Sequence, residues 1–200
     1  MTRTKTSEKT KEKILQAALA EFADKGFNKA KVDDIAKRAG LTKMMLYYHF
    51  KSKENIMYEL MTQLSREITE KFRENLSNID IKNPESVRNH IEIMMDYFYE
   101  RKEIIRLITS ESIKGKNGNI GSFSIFEELF KTISLIIKGN SETSHQHQFL
   151  IRIFFFNTLP MVMYSSLSDK FNDDFAIDNE NSRKIFIDTF INVLYKNLIE

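Results

Sequence analysis

GFNKAKVDDIAKRAGLTKMMLYYHFKSKENIM, residues Gly26–Met57, decides how this 200-residue chain folds. Within it Val32, Ile35, Ala36 and Ala39 recur at helical spacing and stop at Gly40. Thr42 then offers an N-cap, and Leu46 and Phe50, four residues apart, turn one side of the next helix inward. Helix, glycine-containing turn and second short helix is the sequence form of a helix-turn-helix. Because Leu46 and Phe50 point inward, Lys43, Met44, Tyr47 and Tyr48 are turned to the outer side. Upstream, Ile14, Leu15, Ala18, Leu19 and Phe22 predict a first helix capped by Thr10 and stopped at Gly26. Downstream, Ser52 caps a long helix, about Glu54 to Ser77, with the apolar stripe Met57, Leu60, Met61, Leu64, Ile68, Phe72 and Leu76.

These residues carry a family resemblance. The region Lys11–Leu60 resembles the DNA-binding region of the tetracycline-repressor (TetR) family of bacterial regulators. The match rests on Ile35-Ala36, Ala39-Gly40, the block Leu46-Tyr47-Tyr48-His49-Phe50 and its continuation Lys51-Ser52-Lys53-Glu54. The resemblance implies that Lys43, Met44, Met45 and Tyr48 lie near base edges, while Tyr47, His49 and Lys53 reach phosphates, with Thr42 among the DNA-binding residues. A lysine at Lys43 has the chemistry to read guanine O6 and N7, and the methionines to touch thymine methyls. Two positions depart from the family. Met44 stands where a small residue is usual, so base preference does not transfer. Lys31 stands where a capping threonine is usual; it cannot cap a helix but can meet a phosphate as a point charge.

Beyond this head the chain reads as helix only. Asn83-Pro84-Glu85 starts a helix bearing Val87, Ile91, Met94, Met95 and Phe98, and another spans Lys102 to Ile113. Phe123 to Ile137 marks the next. His145 to about Ser166 is very apolar and broken or kinked by Pro160. The acidic stretch Ser168–Asn181 reads as a linker before a terminal helix from Ile185 to Leu198. The expectation is an all-α protein of about nine helices: a DNA-binding head at 1–53 and an effector-binding and dimerisation body at 54–200.

Charge divides the same way. Residues 1–53 hold 13 Lys/Arg against 6 Asp/Glu, a balance of +7, whereas 54–200 hold 17 against 22, a balance of −5. A basic head on an acidic body points to a polyanionic partner at one end. Zero cysteine excludes disulfides, thiolate metal sites and a cysteine nucleophile. The polar start and the short, Arg152- and Asn157-containing apolar run Phe149–Tyr164 lead to the expectation of a cytoplasmic protein, neither exported nor membrane-bound. No phosphate loop, dinucleotide fingerprint or serine elbow is present, so no enzyme, cofactor or metal is expected. His145 and His147 diverge at i, i+2 on a helix, and Asp169, Asp173, Asp174 and Asp178 lack the glycine and glutamate of a calcium loop.

The function expected is a sequence-specific regulator, a repressor released from a roughly palindromic duplex operator by a small, largely apolar effector. The alternative is a DNA-binding organiser or activator with the same head and no ligand-driven release. Regulators of the family usually bind a small molecule in the body, which directs attention to Met61, Met94, Phe98, Phe126, Phe154 and Asn157. Arg152 reads as a structural or snorkelling arginine rather than an effector ligand. Apolar residues surround Phe149–Met163 and the last helix on all sides, so one face of each is left for a homodimer interface, with Phe155, Val162, Phe186, Phe190 and Leu194 on it.

Overall fold

The computed structural model describes residues 2–76, 79–80, 82–114, 127, 130–131 and 146–199, with side chains except at 2–6, 114, 146, 149 and 194–199. Nine α-helices and one π-helical stretch appear among these residues, and no strand. They are α1 (Thr2–Lys25), α2 (Val32–Arg38), α3 (Lys43–His49), α4 (Lys53–Leu76), α5 (Pro84–Glu100), α6 (Lys102–Lys114), α7 (Gln146–Ile151), the π stretch Arg152–Thr158, α8 (Leu159–Phe175) and α9 (Asn179–Ile199). The all-α expectation holds. No helix among the described residues is long and apolar enough to cross a membrane.

Contacts divide the chain into two compact units. The first is Met1–Arg66 with α6 from Arg106 onward; the second is Glu67–Ile105 with the residues from Glu127 to the end. In the first unit α1 packs on α2 and α2 on α3. Its core holds Ile14, Ala18, Phe22, Phe27, Ile35, Leu46, Ile56 and Met57, with the Phe22 and Phe27 rings 5.2 Å apart. Each of the larger of these side chains contributes about 1.5–3 kcal/mol when fully buried. Gly40, at φ +68°, makes the turn of the helix-turn-helix, where Leu41 N–H donates to Ala36 C=O at 2.9 Å. In the second unit α5, α8 and α9 pack against one another, and the π stretch packs on α7 and α8. Arg88–Asp188 and Arg183–Asp96 ion pairs, each 2.5 Å, tie α9 to α5.

Several capping expectations hold. Thr42 Oγ1 accepts from Met45 N–H at 3.2 Å, Ser52 Oγ from Asn55 N–H at 3.3 Å, and Asn83 Oδ1 from Glu85 N–H at 2.9 Å. Others are corrected. α1 starts at Thr2 and not after Thr10, so Thr10 lies inside the helix rather than at its N-cap. The supposed linker from Ser168 is helical as far as Phe175; the Lys170–Asp174 pair, 2.8 Å at i, i+4, supports its last turns. Asp178 then caps α9, accepting from Asn181 N–H at 2.8 Å. Pro160 does disturb the long apolar helix, but upstream of itself. It lies in the first turn of α8, and before it the chain widens so that Leu159 N–H reaches back five residues to Phe154 C=O. The helix expected over Phe123–Ile137 lies outside the described residues except at Glu127, Phe130 and Lys131, which are helical.

α8 ends on a left-handed residue that is not glycine. Ala176 has φ +53°, with its N–H donating to Asp173 C=O and Ile177 N–H to Asn172 C=O, the two bonds of a Schellman cap. An alanine methyl at that φ costs about 1 kcal/mol relative to glycine. Ala176→Gly is therefore expected to raise the melting temperature by about 2–4 °C in calorimetry; a lower melting temperature would show that the cap is not left-handed.

Candidate nucleic-acid interface

α3 presents its outer side to solvent as the sequence spacing requires. Leu46 and Phe50 are buried, whereas Met44 and Tyr48 are each 83% exposed and Lys43, Met45 and Tyr47 are exposed beside them. Thr42 is an exposed cap, and half-buried His49 closes the helix with its ring edge-on to Tyr48, centroids 5.2 Å apart. Two methionines and two tyrosines in the open on one short helix form an apolar patch framed by basic residues, and such a patch marks a docking face.

The cations around α3 are held in place. Lys43 pairs with Asp33 in the first turn of α2 at 2.8 Å, and that hydrogen bond raises the Lys43 pKa above its ordinary value. The pair is exposed, so exchanging Asp33 for a base edge costs little. Lys31 is exposed at the N-cap position of α2, and its side chain makes no capping bond, as expected for lysine.

Lys53 behaves differently from its expectation as a phosphate ligand. Its ammonium donates to the carbonyls of Phe27 at 2.9 Å, Asn28 at 3.2 Å and Ala30 at 3.3 Å, and lies 4.6 Å from the Phe27 ring centroid. A lysine has three N–H donors, so none remains for a phosphate. Lys53 pins the start of α4 to the turn between α1 and α2. Lys53→Met is accordingly expected to destabilise the head by about 2 kcal/mol in denaturant melts, the scale of hydrogen bonds from a charged donor. Unchanged stability with weaker DNA binding would instead mean that the ammonium leaves its carbonyls for phosphate.

Sequence reasoning missed the frame that fixes α2. Buried Glu21 on α1 contacts Lys25, and Arg38 reaches Asp24 at 2.6 Å and Glu21 at 3.8 Å. Lys25 also bonds Asp34 at 3.0 Å; the bonds to Glu21 and then Asp34 raise its pKa, and the same contact lowers that of Asp34. Only Glu21–Lys25, at i, i+4, was legible from spacing.

Comparison with known proteins agrees with the head. Residues 14–60 match the family of bacterial regulatory proteins called the tetR family. The chain carries a tetR-family head. An uncharacterised HTH-type transcriptional regulator of Bacillus subtilis, YdgC, is 32% identical over 102 residues, 49% of this chain and 52% of that one. IcaR of Staphylococcus aureus, the HTH-type negative transcriptional regulator of the biofilm operon icaADBC, is 32% identical over 90 residues, 45% of this chain and 44% of that one. The chain thus spans about half the length of the curated relatives it matches. Thermus thermophilus FadR, a TetR-family repressor solved with lauroyl-CoA, shares the fold at TM-score 0.55 and 17% identity, over 92% of each chain. The tetR-family head is therefore followed by a helical body of the same general fold.

The expected effector residues fall in both units. Met61 is buried in the first unit; Met94 and Phe98 are buried on α5 in the second. Phe154 and Asn157 are half-buried in the π stretch, Phe154 edge-on to Phe130 at 6.2 Å, and Phe126 lies outside the described residues. Of the expected interface residues, Phe155 is exposed, Val162 and Phe186 are half-buried, and the Leu194 side chain lies outside the described set. Phe190 is buried and stacks on Phe186 at 5.6 Å, so it belongs to the core. Arg152 is exposed, and no group of metal-ligating side chains occurs among the described residues.

Proposed function

We propose that this protein is a homodimeric, sequence-specific transcriptional repressor that docks α3 in the major groove of a roughly palindromic operator and leaves it on binding a small effector. The observation that carries the reading is the exposed Met44, Tyr47 and Tyr48 surface with Thr42 and Lys43 at its start, on a head matched by the tetR family. A helix-turn-helix places this end of its second helix on base edges, and Lys43 is the base reader in that docking. Residues 1–53 are the DNA-contacting part and 54–200 the part that binds effector and partner. IcaR, a negative regulator, and FadR, a repressor solved with an acyl-CoA, favour repression and ligand response over an organiser. The protein works in the cytoplasm, on DNA, and has no catalytic role.

Selection of binding sites from random duplexes tests this. An enriched, inverted-repeat sequence is expected, with half-sites about 34 Å apart. Lys43→Ala is expected to cost about 1–3 kcal/mol and to relax preference at one base position per half-site. No enriched sequence, or unchanged preference in Lys43→Ala, contradicts the docking. Any effector must also obey reciprocity: operator DNA weakens the ligand by the factor by which ligand weakens DNA.

A further inference from the structure

The chain has nine methionines and no cysteine. With no thiol to react first, a peroxide meets thioether sulfur as its most readily oxidised target, and exposure then selects the site. Met57, Met61, Met94, Met95 and Met161 are each at most 5% exposed, and Met163 is half-buried. Met44 and Met45, 83% and 44% exposed, are the two methionines in the open among the described residues. Both stand on α3, in adjacent positions of the helix proposed above to read DNA.

The fold of α3 does not depend on these two thioethers. Leu46 and Phe50 supply its hold on the core, and its first turn is closed by Met45 N–H donating to Thr42 Oγ1 at 3.2 Å, a bond of the backbone at 45 and not of its side chain. Met44 shares the face of Tyr48, four residues on and equally exposed. Consecutive helical positions turn by about 100°, so Met44 and Met45 reach different parts of a facing groove. There an unoxidised thioether offers an apolar end to a thymine methyl. A sulfoxide instead presents a polar oxygen that accepts hydrogen bonds and donates none. It meets edges already rich in acceptors, thymine O4 and guanine O6 and N7. Oxidation at these two positions therefore strikes binding and spares the fold.

We propose that Met44 and Met45 form a paired oxidation site through which hydrogen peroxide lowers the affinity of the protein for its operator. The sulfur lone pair attacks one peroxide oxygen. The S–O bond forms as the O–O bond breaks, and the second oxygen takes up the proton of the first and leaves as water. Sulfur gives up two electrons and the peroxide accepts them. Methionine sulfoxide reductases, one for each sulfoxide epimer, return the thioether, so the change is reversible. This rests on the reading of α3 as the DNA-facing helix and adds a means of regulating that surface.

The test treats the full chain with hydrogen peroxide, removes the excess with catalase, maps oxygen uptake by peptide mass spectrometry and measures operator affinity by fluorescence anisotropy. Met44 and Met45 are expected to take up oxygen before any of the five buried methionines, and bound operator to slow the uptake at both. Operator affinity is expected to fall at least about tenfold, the scale of a mismatched base pair in the site. The melting temperature should stay unchanged, as for other alterations of exposed side chains. The two sulfoxide reductases together should restore the affinity. A Met44→Leu/Met45→Leu protein keeps the apolar surface without sulfur and is expected to bind operator equally before and after peroxide. Earlier oxidation of a buried methionine, unchanged operator affinity with both sulfurs oxidised, or an equal peroxide-induced loss in the Met44→Leu/Met45→Leu protein overturns the site. Tyr48→Ala, measured alongside, separates the two readings. Weaker operator binding by Tyr48→Ala with none lost by the oxidised parent overturns the oxidation site alone; no loss in either overturns the docking of α3 as well.

Discussion

Phe171→Asp is expected to turn the protein into a 23.6 kDa monomer in sedimentation equilibrium and to weaken operator binding by about 10²–10⁴-fold. The expectation comes from the inverted character of α8. Its outward residues Leu167, Phe171 and Phe175 are 57%, 53% and 66% exposed, while Ser165, Ser166, Ser168 and Asn172 are buried. A helix that keeps its serines inside and its phenylalanines outside has a second apolar partner to meet. On α9, Ile185 and Val193 are exposed as well. A two-fold contact through these faces would use each twice, so one aspartate per chain puts two charges into the interface. Losing the dimer removes the tethering that makes the second half-site contact effectively intramolecular. Phe190→Asp is the contrasting variant: it strikes the core and should unfold the body. A 23.6 kDa parent species at micromolar concentration, or a dimeric Phe171→Asp, would contradict this placement of the interface.

Acid should weaken the fold through one side chain. His90 on α5 lies edge-on to Phe72, ring centroids 5.7 Å apart, and its Nδ1 is buried without a partner among the described residues. Burial lowers its pKa from 6.5 to about 4. The folded pKa lies below the unfolded one, so between these values the unfolded chain binds more protons and stability rises with pH. The contribution is fully present above pH 6.5 and disappears as pH falls towards 4. Its full size is about 3 kcal/mol at 1.36 kcal/mol per pKa unit. Denaturant melts at a series of pH values should show that loss in the parent and a much flatter profile in His90→Phe. Equal pH profiles in the two proteins would assign acid sensitivity elsewhere.

How far the sequence carried is clear from particular residues. The head was readable because its signals are local: Thr42 and Ser52 cap where expected, and Leu46 and Phe50 are buried at their four-residue spacing; Asn83 caps α5 in the body by a signal of the same kind. What was lost depends on contacts distant in sequence. Lys53 is exposed by pattern, yet its three carbonyl partners lie 23 to 26 residues upstream. Nothing local records that meeting. The body misled in another way. Apolar residues surround the chain from Phe149 to Met163, so periodicity could not separate core from interface there. The expected interface was Phe155, Val162, Phe186, Phe190 and Leu194, of which the structure buries Phe190. Phe155 is exposed as expected, and a further exposed pair, Phe171 and Phe175, lies in the stretch whose acidic residues suggested a linker, on the helix that buries Ser165 and Asn172. Polar residues facing inward are legible only once the packing of α8 is known.

The claim on which the rest depends is that α3 is the DNA-reading surface. Fluorescence anisotropy of a selected operator duplex and an unrelated duplex, titrated across salt with the parent and Tyr48→Ala, tests it most directly. Tyr48 is almost fully exposed and its removal should leave the melting temperature unchanged, so an effect on binding is not an effect on folding. About six phosphate contacts per dimer would make log affinity fall against log salt with a slope near −5 for both proteins. The account predicts that slope on both duplexes, together with a loss of about tenfold in Tyr48→Ala on the operator and none on the unrelated duplex. Equal operator affinity in the two proteins, or binding to either duplex that does not respond to salt, would contradict it.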